Sequence, residues 1–141
     1  MNTSAPQSAK DGIILLSRFL LVLLFLIFGW NKLTDYHGTV AYMQMAGAPI
    51  PALSALIAII MEFFVGLAVL LGLFTRPLAV LLALYTLGTA YIGHHYWTMT
   101  GMARFEAEIN FYKNISIIGG FLLLYVTGPG KYALDTMLRR G

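Results

Sequence analysis

Four apolar runs, separated by short polar or turn-forming stretches, make up most of the chain, at about residues 13–30, 51–74, 77–97 and 107–126. A hydrocarbon core about 30 Å thick takes roughly 20 helical residues, so each run is long enough to cross a bilayer. Residues 1–12 read as a polar N-terminal tail and 127–141 as a basic C-terminal tail. The run after Lys10 superficially resembles a secretory signal, but it is longer than one and no small-residue cleavage site follows, so a retained first span is expected. Within it, Arg18, Val22, Phe25, Gly29 and Lys32 fall on nearly one helical face, the stripe predicted to meet the bundle. Trp30, Asn31 and Lys32 mark its end as a membrane interface.

The connections carry their own signals. Residues 34–50 form the longest polar connection, in which Val40, Met43 and Ala46 recur at helical spacing before Gly47, Pro49 and Pro51 break the pattern. A short interfacial helix is predicted there, with Pro51 in the first turn of the second span. The stretch Gly72 to Pro77 is so short that spans two and three must form a tight antiparallel hairpin, Gly72 stopping one helix and Pro77 starting the next. A loop over 98–105 leads to span four, with Glu106 and Glu108 expected in its first turn, where they complement the helix dipole. Gly128, Pro129 and Gly130 end it. The predicted fold is an all-α integral membrane protein, a single domain forming a four-transmembrane-helix antiparallel bundle.

Charge sets the expected orientation. Lys10, Arg18, Arg76, Lys131, Arg139 and Arg140 fall on one side and Lys32, Arg104 and Lys113 on the other, six against three. The positive-inside bias then places both termini in the cytoplasm and the interfacial helix in the first outer loop.

Composition narrows function more than it names it. With 59% hydrophobic and 11% charged residues and a mean hydropathy of +0.78, the chain is far more apolar than a globular domain, in which about a quarter of residues are charged. The net charge of +3 resides mainly in loops and tails, without the aromatic-interleaved basic patch of a nucleic-acid binder. Absence of cysteine excludes disulfides, a thiol nucleophile and iron-sulfur ligation by this chain. No phosphate-cradling loop, zinc-spaced His and Glu motif or nucleophile elbow appears, so no catalytic motif is assigned.

The residue that stands apart is Glu62, in the middle of the second apolar run. A carboxylate at bilayer depth costs about 2.5 to 3.5 kcal/mol on insertion scales, so it requires partners. Its helical face carries Ala55, Ala58 and Gly66, small residues of the kind found where membrane helices touch, which predicts that Glu62 points into the bundle. Counting inward at about 1.5 Å per residue places Lys32, His94, His95, Asn110, Lys113 and Asn114 in the outer third and Glu62 near the midplane. Asn110, Lys113 and Asn114 form one polar stripe on span four, while Gly88, Tyr91 and His95 share a face of span three. The candidate polar centre or ligand site is Glu62, Lys32, Lys113, Arg18, Asn110, Asn114, Tyr91 and His95. Glu62 serves there either as a proton-accepting or ligand-orienting carboxylate, or as half of a structural ion pair with Lys113, Lys32 or Arg18.

Two cofactor classes come into question. Imidazole binds haem or copper, but His37, His94 and His95 all lie at or near one interface, which disfavours haem and leaves no metal site assigned. Tyr85, Tyr91, Trp97, Phe111 and Tyr112 suit either an interfacial aromatic belt or a quinone pocket, where a flat ring packs between aromatic faces and polar groups bond its carbonyls.

The chain resembles the DoxX family of small four-helix bacterial membrane proteins over about residues 16–135. The residues that carry the resemblance are Arg18 with Phe28, Gly29, Lys32 and Leu33; Gly47 and Pro49; Glu62 and Gly66 followed by Leu70, Leu71, Gly72, Thr75 and Arg76; and the run Gly128 to Asp135, with Ala133 where the family usually has a small polar residue. The resemblance implies a multi-pass bacterial cytoplasmic-membrane protein that contacts membrane lipid and either binds quinone or anchors a soluble or membrane redox partner protein. Three readings follow: an auxiliary or quinone-interacting subunit of a redox or oxidative-stress system, a small proton-coupled transporter or exporter working as a homo-oligomer, and a structural or assembly factor.

Overall fold

The computed structural model describes residues 4–139, and Arg140, one of the cations counted for orientation, lies outside them. Every element described is helical: α1 Gln7–Thr34, α2 Tyr36–Met45, α3 Pro51–Ile59, α4 Gly66–Leu71, α5 Thr75–Gly93, α6 Gly101–Thr127 and α7 Leu134–Leu138. A π-helical segment, Ile60–Val65, joins α3 to α4, so that Pro51–Leu71 runs as one rod. Four rods are long and apolar enough to cross a membrane: α1, Pro51–Leu71, α5 with the short turn after it, and α6.

Several boundaries differ from expectation for identifiable reasons. Helix α1 begins at Gln7 inside the polar tail, where Asp11 accepts from the Gln7 amide one turn back. The second rod stops at Leu71 because Gly72, at φ 73°, closes a left-handed cap with Leu73 N–H bonded to Ala68 O. Chain reversal at Tyr96–Thr98 is tight, and Gly101 at φ 64° starts α6 at once; Glu106 and Glu108 thus lie beyond its first turn. The expected basic tail instead folds back as a turn and α7. Pro51 does occupy the first turn of α3.

The predicted inward stripe of α1 is the buried one: Arg18, Val22, Phe25 and Gly29. Ala55, Ala58 and Gly66 are likewise buried on the second rod. Val22 and Phe25 meet Val69, Leu82 and Phe121 in one core, where the Phe25 and Phe121 rings pack edge to face at 5.5 Å. Leu20, Ile27, Leu53, Leu84 and Leu123 face outward, the reverse of a water-soluble surface and the correct dress for lipid.

One end of the bundle is sealed by a cation. Arg18 is 2% exposed, and its guanidinium donates through Nε to Leu70 O at 3.0 Å, through Nη1 to Pro129 O and through Nη2 to Tyr132 O. These acceptors lie in two separate segments, one the end of the second rod and the other the turn after α6. A planar fork of donors suits the arrangement, whereas an ammonium group does not span it. Gly72 makes room, since a Cβ there would stand 2.3 Å from the Ala133 Cβ. Asp135 completes the seal by accepting from Phe74 N–H at 2.8 Å and Thr75 N–H at 2.9 Å at the start of α5. Burial pushes its carboxyl upward, but those backbone bonds outweigh it and hold the group below the usual carboxylate range. The beginning of the chain joins here too, with Lys131 N–H donating to Asp11 Oδ1.

Arg18→Leu leaves three carbonyls without their donor, at about 1–3 kcal/mol for each that stays buried. The expected outcome is faster tryptic cleavage at Lys131 in detergent, with helical circular dichroism retained. Unchanged cleavage would refute the seal.

Candidate functional site

The site is built around the π-helical turn. A π-turn widens the helix by one residue, displaces the side chains it carries, and recurs at functional positions. Glu62 lies inside this one. Facing it, Gly29 brings α1 so close that an added Cβ would stand 2.6 Å from Phe63 N and 2.9 Å from Glu62 C. No side chain fits between the two rods at that level. Lys32, most of a turn further along α1, reaches back over the gap.

Both oxygens of the carboxylate are engaged. Lys32 Nζ lies 2.7 Å from Glu62 Oε2, and Tyr85 Oη donates to Glu62 Oε1 at 2.9 Å. The side chains are 21% and 12% exposed for Lys32 and Glu62, enough screening from solvent to strengthen the pair and not enough to isolate it. The ammonium also stands 5.8 Å from the centre of the Phe28 ring. Among the described residues this is the only ion pair.

The triad forms part of the wall of a cavity of about 850 Å³ that opens between the rods. Phe25, Phe28, Ile57 and Ala58 supply apolar wall, and Gly88 and Thr89 of α5 face it from the other side. Helix α2 closes over it with Thr39, Tyr42 and Met43. That helix is fixed locally: the Asp35 carboxylate accepts from Gly38 N–H at 3.0 Å as an N-cap, and Tyr36 Oη donates to Ala52 O at 3.1 Å. The Val40, Met43 and Ala46 stripe is its half-buried face.

Of the residues singled out from the sequence, Glu62, Lys32, Asn110, Lys113 and Asn114 line this one cavity. Lys113 does not reach Glu62; it donates to Asn110 Oδ1 at 3.0 Å. Asn114 Nδ2 donates to Thr89 Oγ1 at 3.4 Å, tying α6 to α5. Three candidates lie elsewhere. Arg18 is fourteen residues from Lys32 on the same face, hence about 21 Å away along the axis, and is occupied by the seal. Tyr91 is 67% exposed and packs on Trp97 at 5.6 Å. His95 turns its Nδ1 to Ile92 O at 2.7 Å. Helix α5 ends at Gly93, short of the predicted span, so both histidines lie in the turn beyond it, and His94 is the one that faces the cavity.

Sequence reasoning missed Tyr85 as the second partner of Glu62, although it named the residue as an aromatic. The available signal was spacing: Tyr85 and Thr89 stand four apart near the middle of an apolar span, a polar stripe in its own right. Among the described residues no group of three or more His, Asp or Glu comes together as a metal site requires.

A model of the DoxX family matches residues 13–95, which is more than half of the chain and includes Lys32, Glu62 and Tyr85. The chain belongs to the DoxX family. It is 54% identical over 128 residues to the inner membrane protein YphA of Escherichia coli, covering 91% of each chain. It is 40% identical over 134 residues to the inner membrane protein YqjF of the same organism, covering 95% of this chain and 98% of that one. No solved structure matches it. For this DoxX-family member, the expected multi-pass membrane architecture and family are thus established, while α6, which carries Asn110, Lys113 and Asn114, lies outside the matched segment.

Glu62→Ala strands the Lys32 ammonium in a largely apolar wall, a loss of about 3–5 kcal/mol where such pairs have been broken in soluble proteins. Thermal unfolding in detergent should show a large drop for Glu62→Ala and partial recovery in the Glu62→Ala, Lys32→Met double variant. Additive losses would mean that the two charges do not depend on each other.

Proposed function

We propose that this DoxX-family inner-membrane protein is an auxiliary component of a redox or oxidative-stress system that holds a quinone-like ring compound in the cavity between its rods. The observation that carries the reading is the placing of a fully engaged acid, ammonium and phenol triad on the wall of a mainly apolar chamber large enough for a two-ring molecule. Ligand chambers of this kind span about 300–1,000 Å³ and pair apolar walls with a few convergent polar groups. A ring lies against Phe25, Phe28 and the bare backbone of Gly88, and its oxygen shares the Tyr85 hydroxyl or the Lys32 ammonium. Chemically the triad can give or accept a proton at that oxygen as the ring changes oxidation state. With no cysteine the chain supplies no thiol or iron-sulfur relay, and in this reading electrons pass to or from a partner protein.

In the bilayer, the Arg18 seal takes the cytoplasmic side, because Lys10, Arg76, Lys131 and Arg139 gather at that end. Both termini are then cytoplasmic, α2 lies along the outer interface, and the cavity opens toward the outer half of the membrane. The transporter reading fares less well. A conduit needs access from both sides, and below the triad Val22, Val69, Leu82 and Phe121 are each 0% exposed.

Gly88 offers a clean test, since a Cβ added there meets no atom within 4 Å although the residue lines the cavity. Gly88→Leu should obstruct the place of the ring against α5, keep the melting temperature within a few degrees, and abolish both co-purification of quinone from native membranes and saturable binding of a naphthoquinone. Equal quinone content in Gly88→Leu and the parent protein would remove the chamber from the function. Because the chain has no cysteine, single substitutions report sidedness. Gln44→Cys should react with an impermeant maleimide in intact spheroplasts, and Met137→Cys only after permeabilisation; the opposite pattern would invert the orientation.

A further inference from the structure

The triad accounts for one polar pole of the cavity and leaves a second unexplained. Asn110, Lys113 and Asn114 reach the cavity from one face of α6, and His94 faces it from the end of α5. Asn114 is 7% exposed and bonds to Thr89, which fixes the height of this group. Thr89 is four residues from Tyr85, so the second pole begins about 6 Å from the first along the axis of α5, toward the mouth.

The two poles differ in charge balance. At the first, Lys32 is neutralised by Glu62. At the second, Lys113 has only the neutral oxygen of Asn110 as a partner, and among the described residues no carboxylate pairs with it. Asp35, the other carboxylate on the cavity, is turned to the Gly38 N–H as the cap of α2. A lysine at bilayer depth is costly and rare unless it faces a cavity or a partner. Packing does not explain this one, because its side chain is exposed to the chamber mouth. Two amides and an imidazole beside it offer further hydrogen bonds to an oxyanion.

We infer that Lys113, with Asn110, Asn114 and His94, forms an anion-accepting subsite, and that the natural ligand is an acidic ring compound. Its phenolate or carboxylate sits at Lys113 and its opposite oxygen at the Tyr85 hydroxyl or the Lys32 ammonium. This inference rests on the ring-binding reading above and narrows it from quinones in general to those that carry a negative charge at neutral pH. The neutral, long-tailed quinones of the bilayer then become poor ligands. The charged wall selects instead a compact molecule that arrives from the outer face and is too polar to remain dissolved in lipid.

The test compares two probes on the full-length protein in neutral detergent. One is hydroxynaphthoquinone, an anion at neutral pH, and the other is methylnaphthoquinone, which is uncharged; binding is read by quenching of tryptophan fluorescence. The parent protein should bind the anion about tenfold or more tightly than the neutral ring, the scale of one charge-assisted contact. Lys113→Gln should lose that preference while keeping its affinity for the neutral ring, which also shows that the variant is folded, and Lys113→Arg should regain it. Equal affinities in the parent protein, or an equal loss for both probes in Lys113→Gln, overturns the anionic subsite and leaves ring binding standing. Failure of both probes to bind overturns both readings. Displacement of the bound anion by phosphatidylglycerol and not by phosphatidylcholine assigns Lys113 to a lipid headgroup and overturns the inference as well.

Discussion

Lys32 and Glu62 bring opposite charges to 2.7 Å between rods whose outer faces are clad in leucine, isoleucine and phenylalanine. Lipid offers neither side chain a partner and the cavity exposes them only in part, so each depends on the other, and the dependence fixes how α1 and the second rod sit. The contact demands that the rods nearly touch at Gly29 and that the second helix open by one residue at the same level, which the π-turn does. Tyr85 then draws α5 to the same point through the remaining carboxylate oxygen. Three of the four rods thus converge on one carboxyl group, and the fourth enters through the Asn114 and Thr89 contact on α5.

The two ends of the bundle use cations in opposite ways. Arg18 spends its donors on backbone carbonyls and is closed off, so that end is rigid and has little spare hydrogen-bonding capacity. Lys113, on a flexible stem and bonded to a single amide, keeps most of its capacity. The difference follows from the chemistry of the two heads: a planar fork that joins fixed acceptors against a mobile point charge that meets whatever enters. A bundle sealed at one end and open at the other is a receptacle in form.

Much of this was legible in the sequence because the bilayer restricts the answers. Spans, the inward stripe of α1, the small face around Glu62 and the stop at Gly72 all follow from helical periodicity and from the shortage of partners for backbone groups in lipid. The polar stripe on α6 was legible for the same reason. What escaped depends on distances along the rods. Arg18 and Lys32 share a face, yet periodicity says nothing about the turn after α6 folding back to occupy Arg18. Tyr85 hid among aromatics expected at the interface, because its role depends on the height of α5 relative to the second rod. His94 and His95 could be told apart only once α5 was seen to end at Gly93 and the chain to turn there, and the π-turn carries no motif of glycine or proline to announce it.

A chamber of about 850 Å³ in so small a bundle has an energetic meaning. Core voids forfeit dispersion contacts, and larger side chains at Gly88, Ala58 or Thr89 would recover them with no change in the fold. Beside the aromatic and aliphatic wall stand Gly88, Ala58 and Thr89, small residues that leave the space open, and α2 is tethered across it by its own cap and by Tyr36. A sequence that only needed a stable bundle has no reason to keep both the void and an unneutralised lysine at its mouth. The pairing of Lys32 with Glu62 explains how such an arrangement survives: it anchors the rods strongly enough at one level that the space above can stay open. Stability is concentrated at the triad and the Arg18 seal, and the region between α2, α5 and α6 is left free to accept a molecule.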